Sequence, residues 1–105
     1  MTLATFHKKR LDIVVEAPVL NRLLDLLDDR AVTGYTVLPA LAGRGAEGAW
    51  RRAGMVSDAG RMVVVMCILD EARIDDVLQP VYELVRRQIG IVTVSDVAVI
   101  RPDHF

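Results

Sequence analysis

Residues 11–29 read LDIVVEAPVLNRLLDLLDD, and the apolar period changes half-way along. Leu11, Ile13 and Val15 alternate with Asp12, Val14 and Glu16, which predicts a strand of about six residues. Ala17-Pro18 then opens a helix, with Pro18 suited to a first helical position. Across Pro18–Asp29, Leu20, Leu23, Leu24 and Leu27 repeat at i, i+3, i+4 and i+7. Asn21, Arg22, Asp25, Asp28 and Asp29 fall on the opposite side. A half-buried strand running straight into an amphipathic helix is the start of a layered structure of strands and helices.

The rest of the chain repeats the theme. Thr33-Gly34 leads to a β-prone run, Tyr35-Thr36-Val37-Leu38. Met62–Leu69 is a strand with apolar side chains on both faces: Val63, Val65, Cys67 and Leu69 against Val64, Met66 and Ile68. A second helix is marked by Ile74, Val77, Leu78, Val81, Leu84, Val85 and Gln88. Acidic Asp70, Glu71, Asp75 and Asp76 load its start and Arg86 and Arg87 its end, matching the helix dipole. Pro80 predicts a kink and Gly90 a stop. Ile91–Arg101 is the last strand, again apolar on both faces for much of its length. The order βαββαβ predicts an α+β, ferredoxin-like fold: an antiparallel sheet with both helices on one face.

That architecture leaves the other sheet face to be polar, and here it is not. The chain has 105 residues, 52% of them apolar, and this exceeds what a small monomer needs. A second chain covering the far face, in a cyclic oligomer, is the economical solution. The length allows a single domain over residues 1–105. A net charge of −1 supplies no field for nucleic acid or an anionic membrane. One cysteine excludes a disulfide framework within the chain, and no apolar run is long enough to span a bilayer. His7-Lys8-Lys9-Arg10 precedes a β-like run holding Asp12, which does not match a signal peptide, so a soluble cytoplasmic domain is expected.

Between Leu38 and Arg61 lie 22 residues, Pro39–Gly60, with neither helical nor alternating pattern, where a tight hairpin would suffice. They include five of the seven glycines, Arg44, Arg51, Arg52 and the only tryptophan, Trp50. Gly43-Arg44-Gly45 and Arg51-Arg52 combine backbone N–H groups free to turn toward one point with guanidinium forks, a chemistry suited to anions. A solvated loop kept soluble by its arginines is the plain alternative. Trp50 fits either a partner contact or an anchor of the loop on its own body.

The order of elements, Thr33-Gly34-Tyr35-Thr36-Val37 at the second strand, the glycine- and arginine-bearing loop, and Gly90-Ile91-Val92 at the last strand resemble the PII signalling superfamily. The likeness covers roughly residues 8–101 and is strongest to the short PII-like branch associated with carboxysomes and bicarbonate transporters. The resemblance implies a homotrimer with sheets facing inward, and adenine nucleotide bound in clefts between subunits. Gly34, Tyr35 and Thr36 match the stretch holding adenine, with the Thr36 hydroxyl a partner for the exocyclic amine. Gly43, Arg44 and Gly45 match the start of the T-loop, here residues 39–60, which meets phosphates and partners. Gly90 and Ile91 match a shortened B-loop, and the resemblance implies that Arg101 reaches phosphates from a neighbouring subunit. Arg51 and Arg52 resemble T-loop arginines of the PII-like branch, placed with Trp50 to bind an anion or a partner.

Departures from the family pattern narrow the ligand. Pro39–Gly60 has no Tyr to modify, and neither Gln nor Lys, which argues against the 2-oxoglutarate and magnesium-ATP mode. Gln88-Ile89-Gly90-Ile91 has one glycine and no lysine, so a triphosphate would lose ligands. AMP, ADP or cyclic AMP is therefore expected over ATP as an effector rather than a tightly held cofactor, and bicarbonate is admitted as a second ligand of the loop arginines. The implied role is regulation of a transporter or enzyme through the T-loop, with inorganic-carbon uptake the pathway the branch suggests. Membrane association would then come only through a transporter partner.

Cys67 reads as a buried thiol, and His7 and His104 as solvated end residues. Asp28-Asp29 and Asp75-Asp76 read as solvating charge. No nucleophile–base pair, paired carboxylates or metal-ligand spacing occurs, so no catalytic or metal residue is assigned. One rival reading is a small ferredoxin-like enzyme, for which the sequence supplies no acid or base; the other is a CutA-like trimer with a structural or metal-linked role and no nucleotide. The scarcity of histidine and cysteine and the loop arginines weigh against it.

Overall fold

The computed structural model describes residues 3–45, 48–51 and 61–105. The side chains of residues 45–60 lie outside that description. The strands are β1 (Phe6–Glu16), β2 (Thr36–Pro39), β3 (Ala42–Gly45), β4 (Gly48–Arg51), β5 (Met62–Leu69) and β6 (Gly90–Val99). The helices are α1 (Leu20–Asp29) and α2 (Ile74–Val85), each led in by a short 3₁₀ turn, Ala17–Val19 and Glu71–Arg73. Four strands form one sheet in the order β2-β5-β1-β6, every neighbouring pair antiparallel. This is the ferredoxin-like arrangement the element order predicts.

The core lies between this sheet and the helices. Leu11, Ile13 and Val15 of β1, Val63, Val65, Cys67 and Leu69 of β5, Leu23 and Leu27 of α1, and Val77, Val81 and Val85 of α2 are all buried. The period-2 and period-3.6 sets of the sequence thus meet face to face, because each buries an apolar side against the other layer. Pro80 lies within α2, which continues past it to Val85.

Three boundaries differ from expectation, each for a physical reason. β1 is 11 residues long and takes in His7–Arg10, which reads in sequence as a charged lead. Those charges have partners along the sheet: Lys8 pairs with Asp70, Lys9 and His7 with Asp96, and Arg10 with Asp12. Paired charges do not oppose strand formation, and they escape an alternation test. The Pro39–Gly60 stretch also carries regular structure. β3 and β4 form a two-stranded ribbon with Ala42 opposite Arg51, Gly43 opposite Trp50, Arg44 opposite Ala49 and Gly45 opposite Gly48. Glycine and alanine carry no apolar period, so the ribbon leaves no trace in the pattern. Lastly, β6 ends at Val99, and Thr93, Ser95 and Asp96 break its apolar character.

Among the described residues, no helix covers the other face of the sheet. Leu38 stands opposite Val64, Val64 opposite Val14, and Val14 opposite Ile91, one apolar row across all four strands. Its ends are open, with Leu38 48% and Ile91 58% exposed. Farther along the face, Arg10 Nε donates to Asp12 Oδ2 (2.9 Å), and the guanidinium reaches Oδ1 as well (3.2 and 3.1 Å). Among the described residues no helix is long and apolar enough to cross a membrane.

Candidate functional site

The stretch before β2 begins where α1 stops. Arg30 and Val32 N–H groups donate to Leu26 and Leu27 carbonyls (both 3.0 Å), and Ala31 turns to φ 58°. That left-handed turn ends the helix and throws the chain outward. A Cβ added at Gly34 would meet nothing within 4 Å, so this backbone is open on that side. Tyr35 is 37% exposed. Thr36 then enters the sheet opposite Met66.

The second half of the expected site stands at the start of β6. A Cβ on Gly90 would lie 2.5 Å from the Val14 carbonyl oxygen, 3.2 Å from Val85 Cγ1 and 3.3 Å from Val15 Cγ1. Glycine is therefore required here by close approach of β1 and α2, which is a structural reason for it. Ile91 follows, opposite Val14 and outward on the uncovered face. Beside β6, Asp75, Leu78, Gln79 and Tyr82 of α2 and Val92 and Val94 line an open groove of ≈ 490 Å³.

The two halves do not meet within one chain. Gly34–Thr36 leads into β2 and Gly90–Ile91 opens β6, the opposite edges of the sheet. Three strand spacings separate those edges, roughly 14 Å. Arg44 lies exposed on β3, in the ribbon between Gly43 and Gly45. The ribbon springs from the β2–β5 side, where Ala40 N–H donates to the Met62 carbonyl (3.0 Å). Trp50 and Arg51 are on β4, their side chains outside the described residues, and Arg52 lies outside them altogether. Arg101 follows β6 with its side chain 63% exposed and Nε 3.4 Å from Asp103 Oδ1.

Sequence reading missed contacts made by residues 100–105. The Thr33 hydroxyl donates to the His104 carbonyl (2.8 Å), and the Asp70 N–H to the Phe105 carbonyl (3.3 Å). Lys8 Nζ sits 5.6 Å from the centre of the Phe105 ring. His104 is thus partnered through its backbone, and His7 is not simply solvated, since its ring is 2.8 Å from Asp96 Oδ1. No local signal announces contacts between residues so far apart in sequence.

Titration is perturbed away from these two halves. The hydrogen bond from Lys9, then that from His7, holds the Asp96 carboxyl below the usual carboxylate range. The same bond raises Lys9, and the Asp12 hydrogen bonds raise Arg10. Burial, followed by the Asp12 charge, pushes the Cys67 thiol up to about 11, as befits a core thiol. Among the described residues no cluster of His, Cys, Asp and Glu could hold a metal.

The nitrogen regulatory protein P-II family model matches residues 8–104. Over 99% of this chain and 98% of the other, the structure resembles CPII, a nitrogen regulatory PII-like protein from Thiomonas intermedia K12 bound to ADP, AMP and bicarbonate. The TM-score is 0.88 and the identity 26%. A second CPII structure, bound to ADP and bicarbonate, matches with a TM-score of 0.84, 27% identity and 99% coverage of both chains. The apo form of CPII shares the fold, with a TM-score of 0.74, 24% identity and coverage of 96% and 100%. No curated protein matches the chain.

Proposed function

We propose that this chain, which belongs to the nitrogen regulatory protein P-II family, is a PII-like signal-transduction protein whose effector is an adenine nucleotide. The observation that carries this is its full-length likeness, at 26% identity, to a PII-like protein holding ADP, AMP and bicarbonate. The site is Gly34, Tyr35 and Thr36 of one subunit facing Gly90 and Ile91 of a neighbour in a homotrimer of single-domain chains. Its support is the separation of these halves onto opposite sheet edges, a gap that a second copy would close. Packing the apolar row Leu38–Val64–Val14–Ile91 inward gives the same assembly a reason to form.

The ligand is AMP, ADP or cyclic AMP before ATP, because the stretch Gln88–Ile91 lacks the lysine and glycines a triphosphate needs. Gly43, Arg44 and Gly45 at the ribbon, with Arg101, meet the phosphates. Arg51, Arg52 and Trp50 meet bicarbonate or a partner. The ligand changes the arm, and the arm regulates a transporter or cytoplasmic enzyme, with inorganic-carbon uptake the pathway favoured. A coupling of about 1–3 kcal/mol is enough for such a signal, within reach of one or two charge-assisted hydrogen bonds. The protein signals rather than catalyses.

Isothermal titration calorimetry with AMP, ADP, cyclic AMP, ATP and 2-oxoglutarate tests this. One of the first three should bind best, and Arg44→Ala should weaken it by about tenfold or more, the loss expected for one charge-assisted hydrogen bond, with the oligomer intact. Absence of any nucleotide heat at millimolar ligand refutes the nucleotide reading. An unchanged affinity in Arg44→Ala refutes the role of the arm.

A further inference from the structure

Residues 100–105 are a strap. β6 ends at Val99, opposite Phe6 at one edge of the sheet. The chain then meets Asp70, just beyond β5, and Thr33, just ahead of β2 at the other edge. It thus crosses the ends of β1 and β5, a span of roughly 14 Å that six extended residues cover easily. Phe105 lies by Lys8, whose ammonium also pairs with Asp70. His104 takes φ 75°, a left-handed backbone that a non-glycine residue holds only where its surroundings impose it.

One end of this strap controls what the expected adenine segment rests on. Upstream, Val32 N–H is fixed to the Leu27 carbonyl, and downstream Thr36 is fixed in the sheet. Between them, among the described residues, the Thr33 hydroxyl on the His104 carbonyl is the hydrogen bond that ties Thr33–Tyr35 to the body. Gly34 has nothing packed against it on the Cβ side. The segment therefore has freedom to lose when a ligand binds, and the strap removes part of that freedom in advance.

We propose that Thr33 is a positioning residue for the nucleotide segment and that residues 100–105 are the strap through which it acts. The proposal rests on the nucleotide reading above and adds its regulation. The docked strap presents Gly34–Thr36 in place and strengthens binding. By linkage, bound nucleotide must hold the strap down to the same degree. The strap also joins the end of β6 to the threshold of β2, so it connects the two edges that serve two different clefts.

The test uses the full chain, ADP as probe, and Thr33→Val, Thr33→Ser and Phe105→Ala. Losing one neutral hydrogen bond should weaken ADP binding about two- to tenfold in Thr33→Val, while Thr33→Ser retains the donor and binds like the parent. Phe105→Ala, at the half-buried end of the strap beside Lys8, should weaken ADP similarly and serves if Thr33→Val fails to fold. Hydrogen exchange at the Asp70 amide, the strap's own donor, should slow with ADP in the parent and not in Thr33→Val. Parent-like binding in Thr33→Val and Phe105→Ala overturns the strap. So does equal weakening in Thr33→Val and Thr33→Ser, or ADP-independent exchange at Asp70. A parent that binds no ADP overturns the nucleotide reading and the strap's role with it, whereas a binding parent with indifferent variants overturns the strap alone.

Discussion

Replacing Gly90 with alanine should damage the fold, and replacing Gly34 with alanine should not. The new Cβ at position 90 would sit 2.5 Å from the Val14 carbonyl oxygen. Carbon–oxygen contacts in sheets settle near 3.3 Å, so β6 must retreat by roughly 0.8 Å. The obstacle is backbone and cannot rotate away, and Val85 and Val15 close the other directions at 3.2 and 3.3 Å. Overpacking costs about 1–3 kcal/mol, and this geometry belongs at the upper end, about 2–3 kcal/mol. The loss falls on the pairing of Gly90 with Val15 and Ile91 with Val14, where β6 joins the sheet. Urea unfolding at one fixed protomer concentration should show the midpoint lowered by roughly 1–2 M with the slope unchanged. Gly34→Ala has open space within 4 Å and should leave the midpoint unchanged or raise it slightly, while weakening nucleotide binding. A Gly90→Ala midpoint equal to the parent's would refute the close approach of β6 to β1. Parent-like nucleotide affinity in Gly34→Ala would remove that residue from the site.

Two further outcomes concern titration. Cys67 is 1% exposed and its thiol is pushed up to about 11, so it should resist thiol reagents at pH 8 until the protein unfolds. A raised acid contributes stability that is complete below the unfolded value and lost as pH rises through the folded one. Cys67→Ala should therefore show less loss than the parent between about pH 9 and 11, by at most about 2–3 kcal/mol in paired denaturation curves. For Asp96 the sign reverses, because Lys9 and His7 lower it. Its contribution is complete above the unfolded value and lost as pH falls, so Asp96→Asn should flatten the stability profile below about pH 4. A parent-like slope there would show that the Asp96 bonds do not persist in solution.

Helices and core were legible because both helices have one apolar stripe, and Leu20–Leu27 and Ile74–Val85 state it without interruption. The strand order was legible only through the order of elements, and the far-face row was visible in Val64 and Ile91 before any register was known. What stayed hidden had no periodic signal. His7–Lys9 reads as a charged lead because its partners, Asp70 and Asp96, are far away in sequence. The β3–β4 ribbon is built largely of glycine and alanine. The strap depends on two backbone carbonyls, which every residue possesses. Gly90 reads in sequence as a helix stop, whereas its demanding contact is with the Val14 carbonyl oxygen across the sheet.

The Arg10–Asp12 pair decides whether the far face is covered, because the same substitution has two very different costs. Both side chains project from β1 on the face of the apolar row, Arg10 beside Ile68 and Ser95, Asp12 beside Met66 and Thr93. On a free surface, an ion pair is worth about 0–1 kcal/mol, so Asp12→Ala would hardly be felt. At a subunit interface the same change strands a buried guanidinium and costs about 3–5 kcal/mol in each protomer. In the proposed trimer that loss recurs in every subunit, so Asp12→Ala should dissociate the assembly at micromolar protein, seen by light scattering. Replacing both partners together, Arg10→Met with Asp12→Leu, removes the stranded charge and should restore the assembly. An Asp12→Ala protein that keeps its oligomer and unfolds within about 1 kcal/mol of the parent would mean that this face meets water, and that the clefts cannot be closed by packing sheets inward.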